Sequence, residues 1–313
     1  MKVLIAILAA SILSFVAFIN TNSANKTIPD NNHAFFLQEA STSATPSVSS
    51  SAILTASPSA TPTSAPKPTL TPTPAPVVNN APPGSGYSYQ YVSTDGQTYG
   101  VAIVAADLNS TKVIVDTASE SDCSNDCPTL PLADYVSRNG AYAGINGSFF
   151  CPKEYPSCSG KTGSFDTLLM NKNKRYFNSD NNVYSTIPAA IFTPGGARFV
   201  SQSLEWGRDT GVDAVIANYP LLVRGNNINF TEAANEPKFG AKGARTFIST
   251  KGNMVYIGVI YNATMGESAK VLHALSMGEA LNLDEGGSTA LYSGGYKAGP
   301  GRNIPNAVLF VKR

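Results

Sequence analysis

The chain has 313 residues, with 22 Lys+Arg against 21 Asp+Glu and a formal net charge of +1. So even a balance supplies no overall field to draw nucleic acid or an anionic membrane, and any anion recognition has to be local. Of the two histidines, His33 lies upstream of the expected folded region and His273 inside it, so a multi-histidine zinc site cannot be assembled from that region alone and any Ser-His-Asp or Cys-His arrangement would have to use His273.

Met1 and Lys2 precede an apolar run over residues 3–19, and polar residues follow to 24. This pattern predicts an export signal over residues 1–24, cleaved or retained as a membrane tether, with the rest of the chain outside the cytoplasm. Between 41 and 83 the chain is almost entirely Ser, Thr, Ala and Pro. It carries too little apolar surface to offset its conformational entropy, so residues 25–84 are expected to form a disordered spacer. Residues 85–313 are then one domain of roughly 220 to 230 residues, enough for a substantial core.

Within it, alternating or continuous apolar runs predict strands over 87–92, 99–107, 112–117, 189–193, 214–218, 246–249, 254–261 and 306–311. A turn at Asp95-Gly96 joins the first two, and the run over 142–150 reads as a strand ending in a polar corner. Helical patterns cover 131–140 and 268–277, the second carrying His273 in a packing or surface role. The expected class is α+β: a strand-rich single domain with a mixed sheet and few helices.

All four cysteines, Cys123, Cys127, Cys151 and Cys158, fall in one short interval. In an exported chain an even count favours two disulfides, with three connectivities open and a four-thiolate zinc site as the alternative. Disulfides here would staple loops beside the corner at Asn146.

Residues 280–292 run from apolar sequence into Asp284-Glu285-Gly286-Gly287-Ser288-Thr289 and back. Strand, tight polar loop and strand would make a site of carboxylates and backbone N–H donors; the plainer reading is an acidic hairpin with a Gly-Gly turn.

Three further polar stretches punctuate the strands: Asn146-Gly147-Ser148-Phe149-Phe150, Ala244-Arg245-Thr246, and Gly301-Arg302-Asn303 through Ala307. Taken in order with Asn282-Leu283-Asp284-Glu285-Gly286-Gly287-Ser288, they resemble the signatures of the phosphodiester glycosidase family, from about Gly144 to the C-terminus. The resemblance implies a hydrolase acting on a glycan or sugar-phosphate substrate. It nominates Asp284, Arg245 and Glu285 as catalytic residues, and Asn146, Gly147, Thr246, Gly286, Gly287, Ser288 and Arg302 as substrate-binding ones. Asp166 is a weaker candidate.

The chemistry agrees with these residue types. A sugar-1-phosphodiester breaks at its anomeric C–O bond through an oxocarbenium-like state and leaves a phosphate monoester. Arg245 suits a bidentate phosphate clamp assisted by glycine N–H groups, Asp284 a base or nucleophile, and Asn146 a sugar hydroxyl. The chain departs from the family pattern at Glu285, Ser148 and Ala244, and lacks Asp-Gly-Arg after Tyr261. A positive φ at 285 would strain the glutamate. No cofactor is implied; Asp284 and Glu285 could take part in holding a divalent metal, but no full ligand set is visible. The leading expectation is an exported glycosidase cleaving sugar-1-phosphodiesters. The alternatives are a non-catalytic carbohydrate-binding module and a glycosidase acting on exopolysaccharide without phosphate.

Overall fold

The structure, a computed structural model, describes residues 76–178, 186–231 and 237–313. The expected export signal and most of the spacer lie outside these residues. Seven strands form the largest sheet, in the spatial order β1 (Gly86–Thr94), β2 (Gln97–Asp107), β13 (Met254–Ala263), β12 (Gly243–Lys251), β14 (Glu279–Asn282), β10 (Leu221–Arg224) and β11 (Asn227–Ile228). A second sheet orders β16 (Tyr296–Ala298), β15 (Leu291–Ser293), β4 (Ala143–Asn146), β17 (Asn306–Lys312) and β3 (Thr111–Thr117). The third orders β6 (Tyr176–Phe177), β5 (Leu169–Met170), β9 (Ala214–Ala217), β7 (Ala189–Thr193) and β8 (Gly196–Val200). Among the described residues the α-helices are α1 (Leu132–Arg138), α2 (Pro237–Gly240) and α3 (Met265–Ala274).

The expectation of a strand-rich chain with few helices holds, but the mixed sheet does not: the pairings between these strands are all antiparallel. The physical reason is the connections. Parallel neighbours need long crossovers, whereas β1–β2, β7–β8 and β12–β13 are joined by tight turns. At the first of these Asp95 (φ 51°) and Gly96 (φ 73°) both take left-handed backbone, the geometry that matches the twist of a hairpin.

Burial explains the continuous apolar run in β2. Ala102, Val104 and Ala106 face a core shared with the other two sheets, through Val113, Val115, Ile145, Val308, Ile216 and Phe192. Val101, Ile103 and Ala105 face the opposite way, where Met265, Ala269, Leu272 and Leu275 of the α3 region cover the sheet. A strand buried on both faces has no polar side, so it loses the alternation of a half-exposed strand. Helix α3 starts at a capping box: Thr264 Oγ1 accepts from Glu267 N–H at 3.1 Å, and Glu267 Oε2 accepts from Thr264 N–H at 2.8 Å. That cap starts the helix before the predicted 268 and leaves His273 exposed on its outer face.

Candidate functional site

Strands β14 and β15 lie in different sheets, so residues 283–290 form a bridge between sheets and not the turn of a hairpin. The bridge is pinned at Asp284 by backbone and by buried polar side chains. Leu283 N–H donates to Thr246 O at 3.0 Å, and Asp284 N–H to Gly147 O at 2.8 Å. The Asp284 carbonyl accepts from Asn146 Nδ2 at 2.6 Å and from the Thr246 hydroxyl. Asn146 Oδ1 in turn accepts from Ala290 N–H at 3.0 Å, so both ends of its amide are taken by the loop. The structure thus brings Asn146, Gly147, Thr246 and Asp284 together at the junction of β4, β12 and β14.

Past Asp284 the backbone stays extended at Glu285, with φ −140° and ψ −173°. The strain considered for a non-glycine residue here does not arise. Left-handed backbone falls instead on Gly286 (φ 61°), which opens a single 3-10 turn over Gly286–Ser288. The leading N–H groups of such a turn have no acceptor within it, so those of Gly286 and Gly287 are free of intrahelical bonds, and both residues are exposed. Gly287 leaves room for a side chain: a Cβ there would lie 2.1 Å from Arg302 Nη2, the far end of a flexible arginine. Ser288 is buried in the same turn.

The Asp284 carboxyl is the most perturbed group of the site. Its Oδ1 accepts from Glu285 N–H at 2.9 Å, while Oδ2 is buried and takes no hydrogen bond. Burial pushes its pKa up to about 7; the Glu285 charge adds to the rise, and Ser288, the Glu285 N–H and Lys238 oppose it. A carboxyl that exchanges its proton near neutral pH is suited to acid–base work.

Arg245 is held differently from a free phosphate clamp. It is 5% exposed; its Nε donates to Ala263 O at 3.0 Å, and its Nη2 donates to Ala241 O and lies 3.5 Å from Lys238 O. Its Nη1 pairs with Glu285 Oε2, both side chains being almost wholly enclosed. Arg302 is half-buried at the other side of the loop. Its N–H donates to Gly287 O at 2.8 Å, and its guanidinium lies 3.4 Å from Glu154 Oε2, 3.4 Å from Tyr155 Oη and 5.2 Å from the Tyr155 ring centre.

The cysteines pair as Cys123–Cys127 and Cys151–Cys158, which settles the connectivity and replaces the zinc alternative. The second bridge closes the loop that carries Glu154 and Tyr155 to Arg302, beside the Asn146 corner as expected. Asp166 is exposed, and its N–H donates to Phe149 O at 3.1 Å. Among the described residues no three His, Cys, Asp or Glu side chains gather to hold a metal ion, and Glu285 is engaged by Arg245.

Several residues around the site were not singled out from sequence. Asn306 Oδ1 accepts from Ser148 N–H at 2.9 Å and would sit 1.7 Å from a Cβ on Gly147, which explains the glycine. Asn218 Oδ1 accepts from Phe149 N–H at 3.1 Å while its Nδ2 donates to Asn282 O at 2.9 Å. Lys238 lies 4.3 Å from the centre of the Phe149 ring. An asparagine at the end of an apolar strand is a weak signal of such a role, and Lys238 carried none.

Residues 139–311 match the phosphodiester glycosidase family, and the chain belongs to that family of hydrolases. Among solved structures, it is similar to the catalytic domain of zebrafish N-acetylglucosamine-1-phosphodiester alpha-N-acetylglucosaminidase, described as auto-inhibited by its pro-peptide. The TM-score is 0.57 at 16% identity, over 73% of this chain and 83% of that one. At that identity the likeness concerns the fold alone. A hypothetical protein from Synechocystis aligns with a TM-score of 0.49 at 12% identity; the alignment covers 72% of this chain and spans 62% of that protein's length. A comparison with curated proteins returns no match.

Proposed function

We propose that the chain is an exported glycosidase that cleaves sugar-1-phosphodiester linkages in an extracellular or cell-wall glycan. The observation that carries this is Asp284: a carboxyl with its pKa raised to about 7, fixed from two sheets and followed in the chain by the exposed Gly286 and Gly287. In its ionised form Asp284 takes the proton of a water that attacks the anomeric carbon. The anomeric C–O bond breaks, its electron pair leaves with the phosphate monoester, and the sugar keeps the water oxygen. The glycine N–H groups receive the phosphate oxygens, with Arg302 and Lys238 supplying positive charge nearby. Asn146 and Thr246 act as positioning residues through the Asp284 carbonyl. Glu285 and Arg245 set the charge behind the site.

Export is supported by the apolar segment over residues 3–19 and by the two disulfides, which persist in oxidising compartments. Among the described residues no helix is long and apolar enough to cross a membrane. Incubation with a chromogenic sugar-1-phosphodiester tests the reading. Release by the wild type, and its disappearance in a folded Asp284→Ala variant, is the expected result. Glycan binding without turnover would establish the carbohydrate-binding module instead. Turnover of a plain glycoside but not of the phosphodiester would point to exopolysaccharide without phosphate.

A further inference from the structure

Arg245 has five N–H donors, and four are accounted for by the carbonyls of Ala263, Ala241 and Lys238 and by the carboxylate of Glu285. The three carbonyls fix the guanidinium plane from the protein side. Among the described residues Glu285 supplies the one carboxylate that pairs with its charge; Oε2 is shut from solvent and takes no hydrogen bond from other described groups. Burying two charges gives little net stability, since a pair of apolar side chains would serve as well, so stability alone does not call for this pair. What the pair does do is place a carboxylate on a rigid arginine one residue from Asp284.

We propose that Glu285 is a resident anion: its carboxylate fills the seat on Arg245 that a phosphate would otherwise take, and Arg245 is a latent anion site. The idea rests on the phosphodiester reading for its biological sense, but its geometry stands on the ion pair. With the seat filled, substrate is held chiefly through its sugar and the Gly286 and Gly287 N–H groups. The chemistry gives a reason. Hydrolysis turns a phosphodiester with one negative charge into a monoester that carries up to two at neutral pH. An uncompensated buried arginine would bind the product more tightly than the substrate and hold it in the site. Glu285 neutralises that arginine in advance and favours product release. The extended backbone at 285 accepts other side chains without strain, so this residue acts through its charge and not through the shape of the loop.

Calorimetric titration with inorganic phosphate tests the proposal without relying on turnover. Glu285→Gln and Glu285→Gly, confirmed as folded by circular dichroism, are expected to bind phosphate about 10-fold or more tightly than the wild type. Adding Arg245→Met to Glu285→Gln should remove the gain. An unchanged affinity in a folded Glu285 variant, or a gain that survives loss of Arg245, overturns the proposal. A second measurement covers the case in which the single variants do not fold. The paired replacement Glu285→Met with Arg245→Met should bind phosphate as the wild type does, because Arg245 contributes nothing to anion binding while Glu285 is present. Loss of phosphate binding in that pair also overturns it. Failure of the wild type to hydrolyse a sugar phosphodiester would sink the functional reading and leave these titrations standing.

Discussion

Asp284 combines three conditions: an anchored backbone, a buried oxygen without a donor, and a neighbouring charge of like sign. Its pKa of about 7 in the folded chain, against 3.8 for an unperturbed aspartate, means that the folded state holds the proton more tightly across that window. The sign follows from linkage. The stabilisation is fully present below the unfolded value and is lost as pH rises through the folded one. Asp284→Asn cannot ionise, so it should raise Tm over the wild type at pH 8 and leave it nearly unchanged at pH 3.5, by calorimetry at both pH values. The same variant should lose about 10²- to 10⁴-fold in kcat, the range for removing a general base. For the wild type, kcat/KM should climb with pH and level off above about 7 as the carboxyl ionises. Asp284 could be nominated from the sequence because it stands at the break of an apolar run. Its altered titration was not, since that depends on what the fold packs around Oδ2.

At the scale of elements, the loop after β14 meets the corner after β4 through the Asp284 N–H bond to Gly147 O, and each segment carries a glycine packed against the stretch from Arg302 to Asn306. Gly147→Ala would place a Cβ 2.9 Å from the Asn306 backbone carbonyl, which cannot move without parting β4 from β17. A marked fall in the urea midpoint is expected. In Gly287→Ala the clashing atoms belong to the far end of Arg302, so the side chain can swing away. Here the unfolding free energy from urea denaturation should hold within about 0.5 kcal/mol, as for a surface change, while KM for the phosphodiester rises several-fold as Arg302 leaves the loop. Opposite outcomes at two neighbouring glycines would separate a folding role from a binding one. The motif stretches revealed both as glycines of a tight corner, but the atoms they make way for come from β17 and from the residues just before it. No local reading of either loop could supply those partners.

Across the whole molecule, one buried amide ties the three sheets together. Asn218 follows β9 of the third sheet, accepts from Phe149 beyond the end of β4 in the second, and donates to Asn282 in β14 of the first. Asn218→Ala would orphan a buried N–H and a buried carbonyl at about 1–3 kcal/mol each, for a loss of about 2–6 kcal/mol in chemical denaturation. Its position at the sheet junction predicts lost activity before global unfolding. The order of most strands, the two longer helices and the polar corners could be read from periodicity and turn residues, because those patterns report which face of an element is buried. Strand patterns carry no direction, so they could not decide between the expected mixed sheet and an antiparallel one. Antiparallel pairing among the named strands depends on short turns where neighbours are consecutive and otherwise on which strands meet far along the chain. By itself the sequence determined which residues could do chemistry: Asp284 with its glycines, Arg245, Asn146 and the cysteines are all named by type and local setting. Only the tertiary structure decided how they are spent, with Arg245 closed by Glu285, Asn146 supporting Asp284, and a disulfide loop bringing Tyr155 to Arg302. Those choices depend on distances between residues far apart in the chain, and hydrogen bonding and burial act on such distances in space.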